Sequence, residues 1–99
     1  MLLQEIAHAR AGDKGNIVTI AVVARRIEDF PLLEQRLTAE KVTDYFSELI
    51  DSPVVRYAIP HLGALNFVLH RPGSEAVTQS LALDAHGKCL SSAMLGIQI

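Results

Sequence analysis

Apolar positions change their period several times along the chain, and each change predicts an element. Leu3, Ile6 and Ala7 open a β-prone segment that reads as a first strand over residues 3–8. The run Ile17-Val18-Thr19-Ile20-Ala21-Val22-Val23-Ala24 is almost continuous in apolar and β-branched residues, which predicts a second strand covered on at least one face. After a polar turn, Asp29 is a candidate cap and Pro31 suits a first helical turn, so a short helix is expected through Leu37. Thr38 then caps a second helical piece. Along it Val42, Tyr45, Phe46 and Leu49 recur at helical spacing, while Lys41, Asp44 and Glu48 take the other side and Glu40 favours the dipole of the first turn.

Asp51-Ser52-Pro53 ends that helix, and residues 54–59 alternate as a third strand that Pro60 stops. Residues 61–70 support two readings. Leu62, Leu65, Val68 and Leu69 fit a helical stripe, whereas residues 66–69 alone fit a strand; the longer stripe favours the helix. Pro72 closes the segment, because the residue before a proline avoids the helical region. Leu81-Ala82-Leu83, a turn at residues 84–88 that holds His86, and Leu90 onward then read as a closing hairpin. The expected order is β-β-α-β-α-β-β, with two helices against one face of a mainly antiparallel sheet in a two-layer α+β sandwich.

With 99 residues, 49% of them apolar, the chain builds one core and one domain, residues 1–99. So small a core favours self-association, a dimer first, through a sheet edge offered by the first or last strand. The net charge of −2 and an aromatic content of 5% argue against nucleic acid as a partner. Cys89 is the only cysteine, which excludes an intramolecular disulfide and a cysteine zinc site. The start Met-Leu-Leu-Gln-Glu lacks the basic region and long apolar stretch of a signal peptide, and no apolar run approaches the ~20 residues of a membrane helix, so a cytoplasmic, membrane-free protein is expected.

The candidate chemistry lies between the first two apolar runs. Residues 10–16 gather Arg10, Gly12, Asp13, Lys14, Gly15 and Asn16 in what reads as a loop anchored by strands. Gly12 and Gly15 accept positive φ and leave N–H groups uncovered, so the segment can form a concave nest for an anion. Arg10 adds a planar donor fork and Lys14 a mobile point charge, with Asp13 in opposition. The pattern is not a P-loop, for Lys14 is followed by Gly-Asn rather than by a hydroxyl residue. The plain alternative is a hairpin connection with Arg10 paired to Asp13 on the surface. A second constellation, Pro60-His61-Leu62-Gly63-Ala64-Leu65-Asn66, places His61 at an expected helix start and Asn66 inside an apolar stripe. Either they border the same site, or Asn66 is a backbone tie and His61 an ordinary helix-start residue. His8, His61, His70 and His86 show no ligand spacing, so neither a metal nor any other cofactor is expected.

The run Ile6-Ala7-His8-Ala9-Arg10-Ala11-Gly12-Asp13-Lys14-Gly15-Asn16 resembles the Ala-Arg-Ser-Gly-Asp-Lys-Gly signature of the AtuA-like domain, from proteins of acyclic terpene utilisation. Matches continue at Leu37-Thr38-Ala39-Glu40-Lys41-Val42, Val55-Arg56-Tyr57, Pro60-His61-Leu62-Gly63-Ala64-Leu65-Asn66-Phe67-Val68-Leu69 and Ser80-Leu81-Ala82-Leu83-Asp84-Ala85-His86-Gly87-Lys88. Ala11 departs from the signature, where the family usually carries serine. The resemblance implies a small ferredoxin-like α+β domain, fused after a large AtuA domain or standing as a separate short protein beside one, and it brings no established catalytic residues. Two function classes follow. One is an accessory or binding subunit that works with a larger AtuA-type protein in acyclic terpene or acyl-CoA catabolism and holds an anionic, acyl-CoA-like ligand at residues 10–16. The other is a small enzyme using His8 or Asp13 as acid or base on such a substrate. A two-layer domain of this length has little room for an internal pocket, which favours the binding class with a site between chains.

Overall fold

The computed structural model describes residues 1–70 and 88–99. The expected break at Pro72, the strand at residues 81–83 and the turn holding His86 lie outside the described residues. Four strands form one antiparallel sheet: β1 (Ala7–Lys14), β2 (Ile17–Ala24), β3 (Val55–Ile59) and β4 (Ala64–His70), in the spatial order β1-β2-β4-β3. Helices α1 (Phe30–Arg36) and α2 (Ala39–Tyr45) connect β2 to β3, and α3 (Lys88–Met94) follows β4. Because β4 inserts between β2 and β3, these elements make a split β-α-β unit, and β1 from the N-terminus occupies the remaining sheet edge beside β2. The arrangement is a ferredoxin-like α+β sandwich.

The core explains the register. Val18, Ile20 and Val22 of β2 stand opposite Leu69, Phe67 and Leu65 of β4, and all six are buried. Onto this face pack Phe30 and Leu33 of α1, Leu37, Val42 of α2, Phe46, and Leu90 and Met94 of α3, all in one hydrophobic cluster. Burying a large aliphatic or aromatic side chain is worth about 1.5–3 kcal/mol, so these two central strands hold much of the stability. Polar ties fix the helices to the sheet edge. Arg56 Nη1 donates to the carbonyls of Glu34 (2.7 Å) and Leu37 (2.9 Å), which satisfies acceptors left open at the end of α1. Thr43 Oγ1 donates to the Ala39 carbonyl (2.7 Å) and accepts from the Val54 N–H (2.9 Å), pinning α2 to the start of β3. The two chain ends are joined as well, with the Leu3 N–H donating to Ile97 O (2.9 Å) and the Ile99 N–H to Met1 O (2.9 Å).

Several sequence expectations hold, including the strand at residues 17–24, the third strand, expected over residues 54–59 and observed at Val55–Ile59, and the Thr38 cap, whose Oγ1 accepts from the Lys41 N–H at 3.1 Å. Others are corrected. Residues 3–5 form a 3₁₀ turn, and the first strand starts at Ala7 and runs through the stretch read as a loop to Lys14. Residues 64–70 are a strand, not part of a helix: Gly63, in the left-handed region at φ +62°, ends the short 3₁₀ turn Pro60–Leu62, and the period-two set Leu65, Phe67, Leu69 overrides the helical stripe. Lys88–Met94 are helical where the hairpin reading expects a strand from Leu90 onward, and Leu90 and Met94, one helical turn apart, are both buried; beyond the helix Gln98 bridges to Leu2. Asp29 makes no side-chain cap; the 3₁₀ turn Ile27–Asp29 leads directly into α1. Among the described residues, no helix is long and apolar enough to cross a membrane.

Candidate functional site

All three helices lie on one side of the sheet, so its other face carries no helical layer among the described residues. Strand alternation decides what that face displays. On β1 the side chains of His8, Arg10 and Lys14 project there, together with the bare Gly12, while Ala7, Ala9, Ala11 and Asp13 turn to the helix side. The pairing carries each β1 position across the sheet. Arg10 is level with Ala21, Asn66 and Tyr57; Gly12 with Thr19, Val68 and Val55; and Lys14 with Ile17 and His70. The open face is therefore mainly apolar over β2, β4 and β3, interrupted by Thr19, Asn66 and His70, with Arg10 and Lys14 along β1 and no carboxylate at any of its strand positions. Tyr57 is 56% exposed and Ile17 39%.

The sequence-predicted residues divide accordingly. Arg10 and Asn66 share one row, about 10 Å apart across the short Ala21, two strand spacings away. Lys14 is on the same face and exposed, four residues from Arg10 along the strand. Gly15 and Asn16 form the two-residue hairpin turn. Gly15 has φ +62° and Asn16 does not have positive φ, the pattern of a type II′ turn with glycine first. Gly12 is a strand residue without positive φ, so the expected nest of consecutive glycine-supported N–H groups is replaced by a β-ladder. Asp13 projects opposite to Arg10, which removes the surface pair that the plain hairpin reading invoked. His61 is exposed in the 3₁₀ turn Pro60–Leu62, at the end of the sheet where His8 stands and away from the hairpin turn. His8 and Asp13, the two acid–base candidates, lie on opposite faces of one strand.

Thr19 carries no sequence signal of its own and reads as an ordinary strand residue until the register sets it opposite Gly12, while Val55 and Tyr57 fall on the rows of Gly12 and Arg10 at the far edge of the sheet. The informative signal was the alternation of Ala7, Ala9 and Ala11 with His8, Arg10 and Gly12, small residues on one side and functional ones on the other. A shallow depression of about 320 Å³ lies at Gly12, Asp13, Lys14, Ile17 and Thr19. Among the described residues neither Arg10 nor Lys14 is ion-paired, and the amide of Asn66 makes no hydrogen bond. No group of three or more His, Cys, Asp or Glu side chains gathers to hold a metal among those residues.

Sheet order, a helical layer on one side and a cation-edged face that no element covers among the described residues define a two-layer ferredoxin-like domain with its candidate site on the sheet. The family model of the AtuA ferredoxin-like domain matches residues 1–99, and the chain belongs to that family. No curated protein and no solved structure gives a significant match.

Proposed function

We propose that this protein is a small binding subunit whose open sheet face receives an anionic, partly apolar ligand of the acyl-CoA kind, acting with a larger AtuA-type protein in acyclic terpene or acyl-CoA catabolism. The observation that supports it is the charge pattern: the chain is acidic overall, yet this face joins Arg10 and Lys14 to a mainly apolar sheet with no carboxylate among its strand positions. The face is shallow, so a second chain is needed to enclose the ligand and exclude water. Its two halves suit the two tasks: cations on β1 for the ligand's anion, and Val55, Tyr57 and Ile59 on β3 for contact with another chain, a second copy included. The enzyme alternative uses His8 or Asp13 as acid or base on such a substrate; of the two, His8 shares the face of Arg10 and Lys14, and Asp13 lies on the other side of the strand.

Calorimetry with coenzyme A and short acyl esters, alone and with the larger AtuA-type protein, tests the reading. Arg10→Ala should cost about 1.5–3 kcal/mol of binding if the guanidinium makes a charge-assisted bond, and added salt should weaken what remains exposed. Absence of heat with every ligand in the presence of the larger protein would dispose of it.

A further inference from the structure

Gly12 is the one position on the open face where the backbone does not explain the residue. Its φ is not positive, so a side chain is conformationally allowed, and glycine in a strand interior weakens the strand. What the site lacks is room: a Cβ on Gly12 would stand 3.0 Å from Thr19 Oγ1. The missing side chain leaves a depression lined by Asp13, Lys14, Ile17 and Thr19, of which Asp13 carries its carboxylate on the helix side of the strand, away from the open face. Arg10 and Lys14 flank it on the same face, each two residues away and so about 7 Å along the strand, within the span of either side chain. Both cations lack an ion-pair partner among the described residues.

Resting on the ligand reading above, we infer that Gly12 is the seat of a tetrahedral oxyanion, a phosphate group, which takes donors from Arg10 on one side, Lys14 on the other and the Thr19 hydroxyl across the strand pair. Three donors converging from different directions suit the oxygens of a phosphate better than the planar pair of a carboxylate. The row Gly12, Thr19, Val68, Val55 continues from the seat across the sheet for about 14 Å, three strand spacings, and offers an apolar track for a hydrocarbon tail. The ligand class is thus a phosphate-headed amphiphile lying across the strands, with its head at β1 and its tail toward β3.

The test titrates the full chain with octyl phosphate, octanoate, inorganic phosphate and coenzyme A, by calorimetry and by backbone amide shifts. Octyl phosphate should bind at least tenfold more tightly than octanoate or inorganic phosphate and should shift the amides of Gly12, Thr19 and Val68. Thr19→Val, which keeps the shape and removes the hydroxyl, should weaken octyl phosphate about tenfold and leave octanoate unchanged, while Thr19→Ser restores binding. Gly12→Ala should abolish the preference for phosphate, with the amide spectrum confirming an intact fold. If octanoate binds as well as octyl phosphate and Thr19→Val changes neither, the phosphate seat is overturned while the ligand reading stands. If no probe binds, with or without the larger AtuA-type protein, both fall.

Discussion

At the scale of single residues, two arginines of the resemblance blocks, Arg10 on β1 and Arg56 on β3, have opposite duties, and strand alternation assigns them. Arg56 is opposite Phe67 and so points to the helix side, where its guanidinium closes two backbone carbonyls at the end of α1. Arg56→Met keeps the aliphatic stem and removes both bonds, so a loss of about 1.5–3 kcal/mol is expected in urea unfolding, and Arg56→Lys should restore only part of it because an ammonium lacks the planar fork. Arg10, facing away from the core, should change stability by less than about 0.5 kcal/mol when replaced by alanine, its effect being on binding. The two positive-φ glycines can be weighed in the same way. A Cβ on Gly15 meets nothing within 4 Å, whereas one on Gly63 would stand 2.9 Å from Ile27 Cδ1. That contact is with the end of a side chain 57% exposed and free to move, so backbone conformation decides both cases. Each glycine to alanine change should cost about 1–2 kcal/mol by urea midpoint, and a much larger loss at Gly63 would show that Ile27 is held in place.

Elements test the reading more severely, and β4 most of all. If residues 64–70 are a strand, alanine at Leu65, Phe67 and Leu69 should each cost about 2–5 kcal/mol, while alanine at Asn66 and Val68 on the other face costs about 1 kcal/mol or less. A helix would protect Leu65, Val68 and Leu69 and leave Phe67 tolerant, so thermal melts of the five variants separate the two. This stretch also shows where sequence was legible and where it was not. The strand at residues 17–24 could be read because its β-branched run has one explanation, and the helix after Thr38 because a cap and a stripe agree. Residues 65–69 satisfied both periods, and only the partner strands on either side select the extended form. At residues 10–14 the glycine and charges suggested a loop, yet β1 pairs along its whole length and the turn shrinks to Gly15–Asn16. Arg10, Lys14 and Asn66 are therefore legible as candidates, but the flat, row-ordered face that carries them is not, because it exists only once β1 pairs with β2 and β2 with β4. Thr19 could not be singled out, since its importance comes from standing opposite Gly12.

For the molecule as a whole, the unequal treatment of the two sheet edges is the feature that bears on assembly. The β1 edge carries Arg10, Asp13 and Lys14, charges of the kind that discourage pairing with another strand. The β3 edge offers Val55, Tyr57 and Ile59 around the inward-turned Arg56, and exposed Leu62 extends this apolar surface beyond the strand. Pairing of β3 with its copy across a two-fold axis would satisfy backbone groups of both edges that no strand among the described residues pairs, and would continue the open face from one protomer to the next, leaving the Gly12 seats at the outer margins. Sedimentation of the isolated chain at tens of micromolar, a concentration that detects specific association of ordinary strength, should then show a dimer. Its urea midpoint should rise with protein concentration, as it does when unfolding and dissociation are linked. Tyr57→Lys places a charge on the paired edge and near its symmetry mate, so the variant should sediment as a monomer with a midpoint independent of concentration, while Arg10→Ala leaves the dimer intact. A wild-type chain that remains monomeric at these concentrations would remove self-association from the account and leave the β3 side to a different partner.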